Sequence, residues 1–330
     1  MEKIRWGILG CGKIANKFAS DLRLVDDAAL VAVASRDNQK AIEFSALHSS
    51  RYAFDSYEAL VTCSEVDVIY IATPHGFHHE HALLCLNHKK AVLCEKAFAL
   101  NAKQVKDMID TAQKNNVFLM EAFWTKFLPQ FQKLNEIIQS GEIGDLKMIQ
   151  ADFGFLAAQP TPQRLYDPKL GGGALLDIGI YPVFLAVTLL GKPLEVNAVM
   201  KPYATNVDEQ IAMTLKFKNG ELAILSATFA ANTPVEATIV GTKGYVRMHN
   251  RFHNVTSDLE LIVGHNPPKA IPVHKEEGYG YQFEARHVSE CLRANRIESP
   301  VMRSADSLLL IETLDWIREK CGIKYEADSQ

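Results

Sequence analysis

Six residues near the start of the chain limit its fold more than any others. Ile4-Arg5-Trp6-Gly7-Ile8-Leu9, a short apolar run of the kind that forms a buried parallel strand, leads straight into Gly10-Cys11-Gly12-Lys13-Ile14-Ala15. Gly10 permits a sharp turn, Gly12 removes a side chain where a pyrophosphate must approach the backbone, and Ala15 lets the next helix pack close to the strand. The free N–H groups and positive dipole end of that helix then face the phosphates. Glycines also make ordinary turns, so it is the placement between a strand and a helix-compatible run that points to a dinucleotide. Gly10, Gly12, Lys13 and Ile14 are the first candidate cofactor contacts.

The pattern that follows supports the same fold. Leu30–Ala34, Val66–Ala72, Ala91–Cys94 and Val117–Met120 are short apolar runs. Val105, Met108, Ile109 and Ala112 fall at helical spacing before Asn115-Asn116. Strands alternating with helices of this length imply a parallel sheet with right-handed crossovers, whose ligands bind beyond the carboxyl ends of the strands. After Glu121 the period changes. Phe131, Leu134, Ile137 and Ile138 mark a helix stopped by Gly141, and strand alternation then dominates: Ile149, Ala151, Phe153 and Phe155, then Ile211, Met213, Leu215 and Phe217, with a two-residue turn expected at Asn219-Gly220. The expected fold is α/β: a Rossmann dinucleotide-binding domain over 1–121 and an α+β domain with a large, mainly antiparallel open-faced sheet over 122–330. A closing helix, Ser304 to Cys321, packs on one or the other.

At 330 residues two cores are the default. A net charge of −4 without a basic cluster gives no electrostatic case for nucleic acid. Six scattered cysteines read as reduced thiols in a cytoplasmic protein. No signal peptide is expected, since Met1-Glu2-Lys3 leads directly into the strand. The longest weakly charged run, Ala174 to Leu190, is shorter than the ~20 residues a membrane span needs. The sheet of the second half is apolar on both faces, and helices account for cover on one side only. A homodimer through the open face is therefore expected.

Four stretches carry candidate chemistry. Ser35-Arg36-Asp37 ends the second strand, and an arginine ahead of the carboxylate favours NADP, with NAD the alternative. Thr73-Pro74-His75-Gly76-Phe77-His78 follows another strand. Thr73, Pro74, His75 and His78 are expected near the nicotinamide, because the histidine spacing suits no metal motif and a metal-dependent lyase is the weaker alternative. Glu95-Lys96 closes a further strand at the same edge. The fourth, Gly171-Gly172-Gly173-Ala174-Leu175-Leu176-Asp177-Ile178-Gly179-Ile180-Tyr181, puts Asp177 and Tyr181 four apart on one helical face, with Pro182 predicting a kink. Trp124, Phe127 and Phe153 are candidate apolar walls and Arg164 a polar contact on the loop 156–170.

Together the glycine junction, the Thr-Pro-His turn, Glu95-Lys96 and the Gly-Gly-Ala-Leu-Leu-Asp-Ile-Gly-Ile-Tyr stretch resemble the Gfo/Idh/MocA oxidoreductase family. Within it the chain most resembles the branch of dimeric dihydrodiol dehydrogenases and NADP-dependent xylose dehydrogenases. Glu121 to Phe127 is similar to that branch's interdomain segment, and Gly241-Thr242-Lys243-Gly244 to one of its sheet turns. The resemblance implies NADP-dependent oxidation of a hydroxyl on a cyclic diol or aldose. By it, Lys96 and Tyr181 are the catalytic pair and Asp177 their neighbour. Glu95, Lys96 and Trp124 are further candidate cofactor contacts, and Trp124, Phe153, Arg164, Asp177 and Tyr181 candidate substrate contacts. Two positions depart from the wider family: its Glu-Lys-Pro reads Glu95-Lys96-Ala97 here, and Tyr181 stands where many inositol and sugar dehydrogenases carry histidine.

Chemistry alone divides the labour consistently. Hydride transfer from a C–H requires removal of the hydroxyl proton, and a nearby lysine cation stabilises a tyrosinate. Tyr181 is thus the acid/base and Lys96 the charge that orients the substrate oxygen. The rival from another class is a dinucleotide-binding sensor that keeps the fold without turnover.

Overall fold

The computed structural model describes residues 2–158 and 160–329; Gln159, in the 156–170 loop, and the two terminal residues lie outside the described residues. The chain divides into two compact units. One runs to Phe127 and takes in Glu276–Ser307; the other comprises Leu128–Lys275 and the chain from Leu308.

In the first unit, strands β1 (Ile4–Leu9), β2 (Ala28–Ala34), β3 (Tyr52–Phe54), β4 (Val68–Ile71), β5 (Ala91–Glu95) and β6 (Leu119–Ala122) alternate with helices α1 (Lys13–Leu22), α2 (Asn38–His48), α3 (Tyr57–Thr62), α4 (His78–Asn87) and α5 (Ala102–Asn115). The sheet order is β3-β2-β1-β4-β5-β6 with every pair parallel. That is the doubly wound dinucleotide-binding arrangement, whose order reverses between β1 and β4. Local sequence sets the elements. Ala15, Phe18, Ala19 and Leu22 give α1 its buried stripe. Asp37 and Asn101 cap α2 and α5 by accepting from Lys40 N–H and Gln104 N–H. α5 ends at Asn116, whose φ of 53° suits asparagine better than most residues.

The second unit begins with α6 (Pro129–Gln139), β7 (Leu146–Gly154) and α7 (Ile180–Leu190). Seven strands follow: β8 (Glu195–Pro202), β9 (Asp208–Lys216), β10 (Leu222–Thr228), β11 (Ala237–Gly241), β12 (Gly244–His249), β13 (Asp258–Val263) and β14 (Lys269–Ile271). Their order is β14-β13-β12-β11-β7-β10-β9-β8, antiparallel except for the β7–β10 pair. On β10 the alternation is clean: Ala223, Leu225 and Ala227 are buried while Leu222 and Ile224 are each 46% exposed. Helix α7 packs on β7 and β10 from the buried side.

α8 (Tyr281–Arg293) belongs to the first unit, and α9 (Ser304–Cys321) spans the division at Ser307. This differs from a single boundary after residue 121. The reason lies in contacts distant in sequence. The buried Asp21 carboxylate accepts N–H bonds from Tyr279 and Tyr281 at 2.9 Å, and Arg293 pairs with Asp27 at 2.9 Å.

Two further expectations are revised. The turn after β9 has three residues, Lys218 to Gly220, because Phe217 N–H already pairs with Glu221 O at 2.9 Å and Gly220 takes φ of 87°. The apolar stretch around α7 is longer than the Ala174–Leu190 run: the helical segment Pro168–Leu190 is long and apolar enough to cross a membrane, and it is mostly buried in the protein. α7 is a core helix.

Candidate active site

In the first unit the expected cofactor residues gather at the carboxyl edge of the parallel sheet. Gly10, with φ of 98°, makes the turn after β1; a Cβ there would lie 3.0 Å from Thr73 Cγ2. Gly12 is the N-cap of α1 and a Cβ on it would meet only Ala72 O, at 3.9 Å. α1 has no side-chain cap and no acidic residue in its first turn. An uncapped helix end beside a side-chain-free approach fits a dinucleotide pyrophosphate. Lys13 is exposed and Ile14 half-buried beside it.

Ser35 and Asp37 are both occupied by local structure. Ser35 is buried and its Oγ accepts from Asp37 N–H at 3.2 Å, while Asp37 Oδ1 accepts from Lys40 N–H at 3.2 Å. Arg36 is exposed, as is Asp37 beside it, with its guanidinium 5.5 Å from the Phe77 ring centre and hydrogen-bonded to Tyr57. Ser35 therefore supports the turn, and Arg36 is the residue that can meet a ribose substituent.

The Thr73–His78 turn is held from below. His78 is fully buried, with Nε2 at 2.7 Å from Thr73 O and Nδ1 at 2.8 Å from Ala97 O. Burial brings its pKa down to about 4, against the pull of two carbonyl acceptors that only a doubly protonated ring could satisfy together, and the ring lies between the ends of β4 and β5. His78 is thus corrected from a cofactor contact to a support for the turn. Thr73 Oγ1 bonds His81 Nδ1 at 3.0 Å, and His79 pairs with Asp107 at 2.7 Å, so the histidines diverge to separate partners. Pro74 and His75 are half-buried.

Glu95 is corrected in the same way. It is 7% exposed, accepts from the Tyr70 hydroxyl, and accepts from Lys96 N–H at 3.2 Å. Its carboxylate braces the backbone of the half-buried Lys96. The Lys96–Ala97 peptide is cis. Trp124 stacks on Tyr281 at 4.8 Å with 9° between planes.

In the second unit, Asp177 and Tyr181 lie around a wide turn rather than on one regular helix. Leu175–Gly179 is a π-helical turn and α7 starts at Ile180. Pro182 has no N–H to meet the carbonyl four residues earlier, and the chain widens just before it. Gly179 permits the close approach to the sheet, since a Cβ there would sit 3.2 Å from Ala227 Cβ. Asp177 pairs with Arg164 at 3.3 Å. Tyr181 is 7% exposed, in an aromatic group with Phe153 at 5.7 Å and His253 at 4.6 Å; Phe153 and His253 stack at 4.3 Å.

Two residues in this region were not singled out from the sequence. His253 lies on the loop after β12 and no pattern marks it. Asp208, the first residue of β9, is fully buried and accepts from Leu175 N–H at 2.6 Å, so it holds the start of the turn that carries Asp177. Burial pushes its carboxyl up to about 7. An acid at the head of an alternating strand is its one sequence signal.

Family comparison accords with this geometry. Residues 4–123 match the model described as an oxidoreductase family with an NAD-binding Rossmann fold, and residues 131–247 match the GFO/IDH/MocA C-terminal domain. The chain belongs to the GFO/IDH/MocA oxidoreductase family. As a GFO/IDH/MocA protein it is a nicotinamide-dinucleotide-dependent oxidoreductase. It is 40% identical to trans-1,2-dihydrobenzene-1,2-diol dehydrogenase from Danio rerio and 36% identical to that from Homo sapiens, covering 99% of both chains in each case. A 3-ketoreductase from Actinomadura kijaniata, solved with NADP and TDP-benzene, superposes with a TM-score of 0.87 at 25% identity, over 97% of this chain and 98% of that one. An aldose-aldose oxidoreductase from Caulobacter crescentus, 24% identical over the same shares, superposes with a TM-score of 0.89 and so has a similar fold.

Proposed function

We propose that this enzyme is an NADP-dependent dehydrogenase that oxidises a hydroxyl-bearing carbon of a cyclic diol, in the manner its dihydrodiol dehydrogenase relatives are named for, with aldoses as the second substrate class. The observation that carries the cofactor choice is the division of roles at the end of β2: Asp37 is taken up as the cap of α2, leaving Arg36 for a 2′-phosphate. When bound, the oxidised nicotinamide accepts the hydride.

The chain's own residues would do the rest. Gly12 and the α1 N-terminus hold the pyrophosphate. Lys96, its backbone braced by Glu95, supplies a positive charge that orients the substrate oxygen. Tyr181 takes the hydroxyl proton at Oη, and its packing against Phe153 and His253 limits its rotamers. Asp177, oriented by Arg164, receives a second substrate hydroxyl. Phe153, packed against Tyr181, provides an apolar wall for a ring.

The open sheet face supports the proposal of a homodimer: Val199 is 72% exposed, and Leu222 and Ile224 share its apolar character. Cysteines that are all unpaired support a cytoplasmic setting. The test is a nicotinamide-absorbance assay with trans-1,2-dihydrobenzene-1,2-diol and D-xylose, each with NADP and NAD. Turnover with NADP on at least one substrate is expected. Its absence on both, with dinucleotide binding intact, would favour the sensor reading.

A further inference from the structure

Two elements are brought against Arg36 at the end of β2. Ser35 N–H donates to Phe54 O at 3.1 Å, so the chain leaving β3 runs beside the arginine. Ser56 then caps α3, its Oγ accepting from Ala59 N–H at 3.3 Å, and Tyr57 becomes the first residue of that helix. The Tyr57 hydroxyl is thereby hydrogen-bonded to the Arg36 guanidinium. A guanidinium only donates, so the phenol oxygen is the acceptor. From the other side comes the turn after β4, whose Phe77 ring centre lies 5.5 Å from the guanidinium.

The tyrosine is itself held. The buried His81 ring packs on Tyr57 at 4.7 Å with 74° between planes, and on Phe77 at 5.8 Å with 28° between planes. Thr73 Oγ1 bonds His81 Nδ1 at 3.0 Å, which fixes the orientation of that ring. Burial brings the His81 pKa down to about 4, with His78 and Arg36 adding to the effect, so the ring is neutral and does not repel the guanidinium. Burial likewise raises the Tyr57 hydroxyl above its ordinary value, against the pull of Arg36, and the phenol stays protonated. Arg36, Tyr57, His81 and Phe77 thus close a ring of contacts within the first unit.

An exposed arginine loses side-chain freedom when it grips an anion, and a neighbour that holds it beforehand removes part of that cost. The gain exists only for a ligand that meets the guanidinium. NADP presents a phosphate at the ribose 2′ position and NAD a hydroxyl, so a held arginine favours the first.

We infer that Tyr57 is a positioning residue for cofactor choice: its hydroxyl, braced by His81, holds Arg36 in place for the 2′-phosphate and so sets the preference for NADP over NAD. This rests on the assignment of Arg36 proposed above, and it needs no turnover to test.

The experiment is equilibrium binding of NADPH and NADH to the full-length protein, read by nicotinamide fluorescence, in the wild type, Tyr57→Phe, Arg36→Ala and the double variant. Tyr57→Phe removes one hydroxyl from a half-buried side chain and keeps the ring against His81. The Kd for NADPH is expected to rise by at least ~5-fold in Tyr57→Phe, with the Kd for NADH within about twofold of the wild type. In the Arg36→Ala background the same change is expected to cost NADPH less than about twofold, because nothing is left to position. Equal losses for the two dinucleotides would make the role structural and overturn the inference. An undiminished loss in the Arg36→Ala background would overturn it as well, since the hydroxyl would then act without the arginine. If Arg36→Ala weakens NADPH selectively and Tyr57→Phe does not, the cofactor reading stands and the inference falls. If Arg36→Ala leaves the preference for NADPH over NADH unchanged, both fall.

Discussion

At the scale of single residues, neighbours decide what each polar group is available for. Ser35, Asp37, Glu95 and His78 are all bonded within the chain, and Arg36, which bonds Tyr57, is the group proposed to read the cofactor. The Phe77 ring beneath it contributes about 0.5–1 kcal/mol at such an exposed site and limits where the guanidinium can go. Arg36→Ala is expected to raise KM for NADP by ~10-fold or more and to leave KM for NAD within about twofold. Steady-state kinetics with both dinucleotides checks it. Equal effects on the two would remove Arg36 from the 2′-phosphate. Much of this was legible from Ser35-Arg36-Asp37 alone. The demotion of His78 and Glu95 was not, because burial and partnering arise from β4 and β5 lying side by side.

At the scale of elements, the segment from Gly171 to Tyr181 shows how local rules meet a tertiary constraint. The sequence pattern predicts a helix with a kink, and Pro182 does disturb it. What the pattern does not contain is Asp208, more than 30 residues away, accepting from Leu175 N–H. Gly173 is needed there for two reasons. Its φ of 120° is closed to residues with a Cβ, and a Cβ would collide with Asp208 Oδ1. Gly173→Ala is expected to destabilise the protein by about 2 kcal/mol or more, and to lower kcat because it displaces the turn that leads to Tyr181. Thermal unfolding and kcat measured together test this; an unchanged melting temperature would contradict it. The hairpin at Asn219-Gly220 gives a milder case. The dipeptide correctly signals a turn, but cross-strand pairing at Phe217 and Glu221 sets the loop at three residues.

At the scale of the whole molecule, the Rossmann order and the open sheet follow from periodicity, since strands separated by helices and strands joined by turns have few other solutions. The grouping of Glu276–Ser307 with the first unit does not, because it depends on Asp21 meeting Tyr279 and Tyr281. Burial also leaves a mark on stability. Glu121 and Asp208 are each pushed up to about 7, and Glu284, with neither carboxyl oxygen partnered among the described residues, is pushed well above its ordinary range. A carboxyl with a raised folded pKa keeps its proton where the unfolded chain has lost it. The stability it gives is therefore full below its unfolded pKa, near 4, and is lost as pH rises through 7. At ~1.4 kcal/mol per pH unit, Glu121 and Asp208 each lose on the order of 3–4 kcal/mol across that window. Asp67 and Asp306, held below the usual carboxylate range, titrate under it and do not cancel the slope. His78 and His81, buried and brought down to about 4, add stability as pH rises toward 6.5 and oppose this slope there. The test is therefore a difference: the melting temperature of Glu121→Gln is expected to gain on the wild type between about pH 5 and 7.5, and a difference that does not change with pH would contradict the Glu121 assignment.

The central claim is that Tyr181 and Lys96 perform proton handling and charge orientation for a hydride transfer. The most direct measurement is kcat for the diol with NADP, alongside the Kd for NADPH, in the wild type, Tyr181→Phe and Lys96→Met. Loss of general acid–base chemistry predicts that kcat falls by at least ~10² in each variant while the Kd for NADPH stays within about threefold. Near-normal kcat in either variant would contradict the account.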